Sequence, residues 1–220
     1  MIMPDKIIKT HSKRLSLTIN EKGEFIVRAP ISLREEEIFK FIKEKEDWIS
    51  KKQGNIKKII SANSRLINYE DALYLGKKYE VIEVKGLDTS LIDDGNLYIP
   101  YSKNKRIKYI FDFLVNKSEQ LIITRVEYFS KLMKLKYNNY KLINSIAKWG
   151  MCDSKKNIYI NWKLIMLPTD IIDYVVVHEL SHLLQMNHSK IFWDIVASIM
   201  PDYKRRKDIL KESNFLIKMF

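Results

Sequence analysis

Apolar and polar positions alternate along RLSLTINEKGEFIVRAP, Arg14 to Pro30, on both sides of Asn20 to Gly23, which predicts two short strands joined by a turn. The period then lengthens. In SLREEEIFKFIKEKEDWISKK, Ile38, Phe39, Ile42, Trp48 and Ile49 recur at helical spacing, and Glu35 follows Ser32 in capping-box register, so a helix follows Pro30. Strand patterns return from Ala72 to Tyr101 in ALYLGKKYEVIEV and DTSLIDDGNLYIPY, where Asp94-Gly95 is a turn signal between apolar runs. Between Ser102 and Lys136 there is neither Gly nor Pro, and Ile110, Phe111, Leu114, Leu121, Ile122, Val126, Phe129 and Met133 approximate the helical period, which predicts one long helix. YKLINSIAKWG and KNIYINWKLIM then read as two strands paired antiparallel across a loop holding Cys152, Asp153 and Ser154. Pro168-Thr169-Asp170 opens a further helix with Asp173 in capping-box register, and shorter helices are expected from Ser189 to Met200 and after Pro201. The fold class is α+β: a β-rich N-terminal domain with one helix over residues 1–101, and a second domain over 102–220 built from the long helix, the antiparallel strands and the C-terminal helices.

Composition narrows the class more than the function. Hydrophobic residues at 46% and charged residues at 30%, with six Gly and five Pro, are the balance of a folded globular protein rather than a disordered one. A single Cys excludes an intramolecular disulfide framework, and MIMPDKIIK lacks the apolar core of a secretory signal, so a cytoplasmic protein is expected. Charged residues interrupt every apolar run before it reaches the length that crosses a bilayer, so no membrane insertion is expected. The formal charge of +12 favours polyanionic partners, nucleotide or nucleic acid, yet the lysines are dispersed along the chain as on an ordinary solvated surface.

The candidate chemistry lies in VVVHELSHLLQMNHSK, Val175 to Lys190, which carries most of the chain's histidines inside an otherwise apolar helix. His178 and His182 are one turn apart on one face, so both imidazoles can reach a common ion, and zinc with its preference for imidazole nitrogen suits that point. Glu179 lies about 100° further round the helix, where its carboxylate can face a metal-bound water without ligating the metal. His188 becomes a third ligand only if the chain turns after the helix. Asn187 tolerates the left-handed conformation that ends helices, so an end near Met186 or Asn187 would bring His188 back, with Ser189 capping the next helix. Metzincin proteases share this histidine spacing but turn on a glycine where this chain has Gln185, so a different turn is implied.

KWGMCDSKKNIYINWKLIMLP, VVVHELSHLLQMNHSKIFW and MPDYKRRK occur in the order and at the spacing of the YgjP-like, SprT-related family of zinc-dependent metalloproteases and metal-dependent hydrolases, which the chain resembles. KRLSLTINEKGEFIVRAP and the YLGKKY segment fit the same family, so the resemblance covers most of the chain. It implies a zincin-like second domain, His178, His182 and His188 as metal ligands, and Glu179 as catalytic base. The metal would be zinc, with Ni, Co or Fe also suited to imidazole ligands. The expected activity is that of a zinc metallopeptidase on a peptide or protein substrate. Met151 stands in the loop where the family usually has Ser, so no hydroxyl is offered there. The strand Asn157, Ile158, Tyr159, Ile160 and Asn161 is the candidate edge for holding an extended peptide, and Tyr203 is a candidate oxyanion or substrate contact. Two other readings use the basic charge: a metal-dependent nucleotide phosphohydrolase (pyrophosphatase), and a nucleic-acid-associated protein binding through Lys204-Arg205-Arg206-Lys207.

Overall fold

Three strands, β1 (Lys6–Thr10), β2 (Ser16–Ile19) and β3 (Phe25–Pro30), begin the computed structural model, which describes residues 2–20 and 22–219. β2 and β3 form the antiparallel pair that the alternation predicts, and β1 adds to the other side of β3 in parallel. The inward residues Phe25, Val27 and Ala29 meet Ile38 and Ile42 of α1 (Glu35–Glu44) and Ile49 of α2 (Glu46–Ala62), all of them buried. The single helix expected after Pro30 is thus two, separated at Lys45. The first is capped two residues later than Ser32 and Glu35 suggest, with the Arg34 amide donating to Glu37 Oε2 at 3.1 Å. A short α3 (Ser64–Ile67) closes this unit, and the second compact unit begins at Asn68.

In the second unit β4 (Asp71–Tyr74), β5 (Lys77–Val84), β6 (Leu91–Asp93) and β7 (Asn96–Pro100) form a sheet in the order β4-β5-β7-β6. Asp94 and Gly95 turn the β6–β7 hairpin with φ of 42° and 76°, the left-handed pair that Asp-Gly supplies. Leu97 and Ile99 of β7 share one core with Ile110, Phe113 and Leu114 of α4 (Arg106–Leu132). The compact units therefore part at Ile67, and the boundary expected near residue 101 falls inside a continuous core.

A three-stranded sheet comes next, with β8 (Asn139–Ile143), β9 (Gly150–Cys152) and β10 (Asn157–Asn161) in the order β8-β10-β9. Here the structure corrects the sequence reading. β8 and β10, the two strands expected to be antiparallel, run parallel, and the antiparallel partner of β10 is the short β9 between them. Residues 144–149 make this possible by carrying the chain across the sheet before it reverses. Asn161 fixes that loop, its side-chain amide donating to the carbonyls of Ser145 at 2.8 Å and Lys148 at 2.9 Å. A 3-10 segment (Trp162–Met166) leads into α5 (Thr169–Ser181), and α6 (Lys190–Ile199), α7 (Tyr203–Glu212) and a 3-10 segment (Ser213–Lys218) complete the unit.

Nine of the thirteen residues of α5 are buried, all of its apolar ones among them. Asp173 does not cap this helix. Its carboxylate takes a two-pronged pair from Arg125 of α4, Nε to Oδ1 at 2.5 Å and Nη2 to Oδ2 at 2.7 Å, tying the two helices together. Among the described residues no helix is long and apolar enough to cross a membrane.

Candidate metal centre

Burial and partner geometry set the state of the histidines on α5. His178 and His182 lie one turn apart with ring centroids 5.0 Å from each other, and His182 Nδ1 is 3.1 Å from the Gln185 carbonyl. A carbonyl only accepts, so Nδ1 carries the proton and Nε2 of His182 keeps its lone pair. Burial, followed by the nearby His182, His188 and Lys207 charges, pushes the His178 imidazole down to about 3, so it is neutral throughout the physiological range. Desolvation lowers His182 as well. Neutral imidazole is the form that ligates a metal.

His188 joins them from beyond the helix. Its Nε2 faces His178 Nε2 at 3.0 Å, and one nitrogen from each of His178, His182 and His188 falls within a single 4.8 Å cluster. Two nitrogens at Zn–N distances of 2.0–2.1 Å around a tetrahedral ion sit about 3.3 Å apart, so the His178–His188 approach fits one shared ion. An all-imidazole donor set suits zinc, and equally Ni, Co or Fe. Neither Cys152 nor Glu179 belongs to this cluster, and among the described residues no other His, Cys, Asp or Glu group of this kind occurs. Cys152 is buried, which with the Glu179 and Asp153 charges pushes its thiol up to about 11.

The turn that returns His188 contains no left-handed residue, Asn187 included. α5 ends earlier than expected, at Ser181, and the chain tightens: Leu183 and Leu184 donate to carbonyls three residues back, Leu180 at 3.0 Å and Ser181 at 3.1 Å. Gln185 then braces the chain as far as Ser189. Its Nε2 donates to Asn187 Oδ1 at 2.8 Å and to Ser189 Oγ at 3.1 Å, while Asn187 Oδ1 also receives the Ser189 amide at 3.2 Å. A side-chain amide thus does what a glycine's conformational freedom does elsewhere. Beyond the turn, Phe192 and Trp193 of α6 pack on the histidines, with the Trp193 ring stacked on His188 at 5.6 Å and 25°.

Glu179 stands outside the ligand cluster and packs against Gly150 of β9. It is only 6% exposed, and burial raises its carboxyl to about 8, with Lys148 pulling the other way. Gly150 makes room for it: a Cβ there would stand 2.6 Å from Glu179 Oε1, 2.7 Å from Cγ and 2.8 Å from Cδ.

The strand Asn157, Ile158, Tyr159, Ile160 and Asn161 is not an edge. As β10 it is paired along its length with β8 on one side and at Ile158 to Ile160 with β9 on the other, so its main chain is already spent. The outer side belongs to β9. The Asp153 amide donates to the Asn157 carbonyl and the Asn161 amide to the Trp149 carbonyl, so in the antiparallel alternation Gly150 and Cys152 aim their amides and carbonyls away from β10.

Tyr203, at the start of α7, stacks on Trp193 at 5.2 Å and 15°. A cleft of about 720 Å³ opens beside the histidines and is lined instead by Tyr174, with His178, His188, Trp149, Trp193, Lys207, Asp208, Leu210, Lys211 and Asn214. Tyr174 precedes His178 by one turn, so the spacing that revealed the histidines also carried this residue. Its phenol is pushed up to about 12 by burial and by Glu179 and Tyr203. Gly150, Trp193 and the α7 lysines had no local signal, because only the tertiary fold brings them here.

The basic run on α7 is divided between two environments. Arg206 donates to Asp202 Oδ1 at 2.9 Å and to the Asp170 carbonyl at 2.7 Å, and Arg205 donates to the carboxylates of Asp170 at 3.0 Å and Asp202 at 3.1 Å. Those two cations are engaged within the chain.

The sequence model of one protein family, described as "YgjP-like, metallopeptidase domain", matches residues 13–213. No curated protein matches at a significant level. Among solved structures, the metallopeptidase zymogen abylysin of Pyrococcus abyssi is similar at 17% identity with a TM-score of 0.39, covering 42% of this chain and 94% of that one. Wss1 from Saccharomyces cerevisiae is similar at 20% identity with a TM-score of 0.32, covering 50% of this chain and 85% of that one.

Proposed function

Because the chain belongs to the YgjP-like metallopeptidase family, we propose that it hydrolyses peptide bonds at a zinc centre held by His178, His182 and His188, with Glu179 as general base. The observation that carries this reading is the convergence of three imidazoles, with a carboxylate next to the first of them on α5 that is not one of their ligand atoms. Zinc bound there would polarise a carbonyl and bring the pKa of water from about 15.7 to near 7.

The chain's own residues supply the rest. Glu179, held by burial beside β9, would take a proton from the attacking water and return it to the leaving amine. Gly150 keeps that carboxylate seated beside β9. An extended peptide laid along the outer side of β9 finds the amides and carbonyls of Gly150 and Cys152, which bind it by main-chain pairing whatever its side chains. Tyr174 keeps its proton at all physiological pH values and lines the cleft, so it is better placed than Tyr203 to donate a hydrogen bond to charge developing on the scissile carbonyl oxygen.

The test combines metal analysis with hydrolysis of an unfolded protein and, separately, of nucleoside triphosphates, for the wild type and Glu179→Gln. The expected result is peptide cleavage by the wild type, falling by about 10²–10⁴-fold in the variant with metal retained. Phosphate release without peptide cleavage would overturn the peptidase reading in favour of the phosphohydrolase, and metal lost with the glutamate would overturn its role as base.

A further inference from the structure

α7 divides its cations by location. Arg205 and Arg206 are bound to Asp170 and Asp202, whereas Lys207 and Lys211, one turn apart, face the cleft beside the histidines, and among the described residues neither forms an ion pair. The Lys207 ammonium is held over the Trp193 ring at 4.4 Å. Trp149 and Trp193 give the cleft apolar walls. Asp208 is the one carboxylate among the lining residues, so Lys207, Lys211 and Asp208 together leave the α7 side with a net positive charge.

We propose that this side of the cleft is a specificity site for a substrate carboxylate, with Lys207 and Lys211 as its determinants. The inference rests on the peptidase reading only for what the carboxylate is attached to. Two ammonium groups on a half-open surface, one anchored on an indole face, attract an anionic group arriving with the peptide and repel a lysine or arginine side chain at the same place. The carboxylate can belong to an Asp or Glu side chain near the scissile bond or to the C-terminus of a short peptide. Both present the same anion to the same lysines. Each exposed pair contributes a factor of a few, so two should discriminate acidic from neutral peptides by about tenfold, and the preference should shrink as salt screens it.

The experiment uses full-length zinc-loaded protein and matched fluorescent peptides that differ only in one residue next to the cleaved bond, Glu, Gln or Lys, each with a free and an amidated C-terminus. Cleavage is measured with the wild type, and binding is measured by fluorescence polarisation with Glu179→Gln. The expected result is a Glu-over-Gln preference of about tenfold in both kcat/KM and affinity, lost in the Lys207→Gln/Lys211→Gln variant, reversed toward Lys in Lys207→Glu/Lys211→Glu, and kept in Lys204→Gln. A preference that follows the free C-terminus rather than the side chain assigns the carboxylate to the chain end and supports the same site. Peptides cleaved with no dependence on charge would overturn the carboxylate site and leave the peptidase reading standing. Lysine-dependent binding of acidic peptides with no cleavage of any would support the site and sink the peptidase reading.

Discussion

Substituting Gly150 with alanine adds one methyl group against the carboxylate assigned as base. Gly150 does not have positive φ, so alanine costs nothing in the backbone itself and the whole effect is contact. The new carbon would lie 2.6–2.8 Å from three atoms of Glu179, against ordinary van der Waals separations of about 3.5–4.0 Å, so roughly 1 Å must be found. β9 is held by its pairing with β10 and Glu179 by its own burial, and neither yields freely. Overpacking of this kind costs about 1–3 kcal/mol, and a misplacement of about 1 Å at a reacting group costs about 10²-fold in rate. Gly150→Ala should therefore cut kcat by about a hundredfold while metal content, measured by elemental analysis, stays at wild-type level. Chemical denaturation of Gly150→Ala in the wild-type and Glu179→Ala backgrounds isolates the cause, because removing the glutamate side chain removes the clash and the stability cost should vanish with it. An equal cost in both backgrounds, or wild-type kcat in the single variant, would refute the argument that the glycine exists to seat Glu179.

Other outcomes rest on the same geometry. In metal-free protein the Glu179 carboxyl is raised to about 8 from an unfolded value near 4.5, so its contribution is complete below 4.5 and is lost as pH rises toward 8; His178, lowered to about 3, opposes this between 4.5 and 6.5 and has no effect above. Metal-free wild type should lose about 2 kcal/mol between pH 6.5 and 8 in urea titrations, and Glu179→Gln should lose none of that share. Gln185→Ala removes the brace on the returning turn and should weaken metal affinity by about tenfold in chelator competition; unchanged affinity would mean that the His188 position is fixed by Trp193 and Phe192 alone. Asp173→Asn breaks the α4–α5 ion pair at a partly buried position and should lower stability by about 1–3 kcal/mol, read as a shift in the denaturation midpoint. Gly54→Ala, within α2 and with nothing within 4 Å of the added carbon, should stabilise its helix by about 0.5–1 kcal/mol.

The histidine cluster was legible because its information is local: one turn of helix places His178 and His182 together, and the same period would have pointed to Tyr174. What the sequence concealed depends on pairing between distant segments. β8 and β10 both alternate, but alternation carries no direction, and the crossover through residues 144–149 has no signature apart from Asn161, which reads as an ordinary strand residue until its amide is seen holding the loop. β9 is three residues long, too short for any period, so the strand that follows it, β10, is the one that reads as the edge. Asp173 sat in capping register and instead serves Arg125, because a bidentate guanidinium available from α4 outweighs a single backbone amide. The left-handed turn expected of Asn187 failed for a related reason: Gln185 and Asn187 bond to each other and to Ser189, and that network satisfies the turn without a strained residue.

A sheet edge left unpaired invites any extended chain, including a second copy of the same protein, and long edges are a familiar route to aggregation. β9 limits that hazard by its length. At about 3.3 Å per residue its three residues offer about 10 Å of main chain, enough to register a few residues of a passing peptide and too little to nucleate a growing sheet. Immediately afterwards Asp153 folds the chain away, its carboxylate taking the amides of Lys155 and Asn157 at 2.9 Å. The same shortness means that grip on a substrate must be local, so segments far from the cut should contribute little to binding.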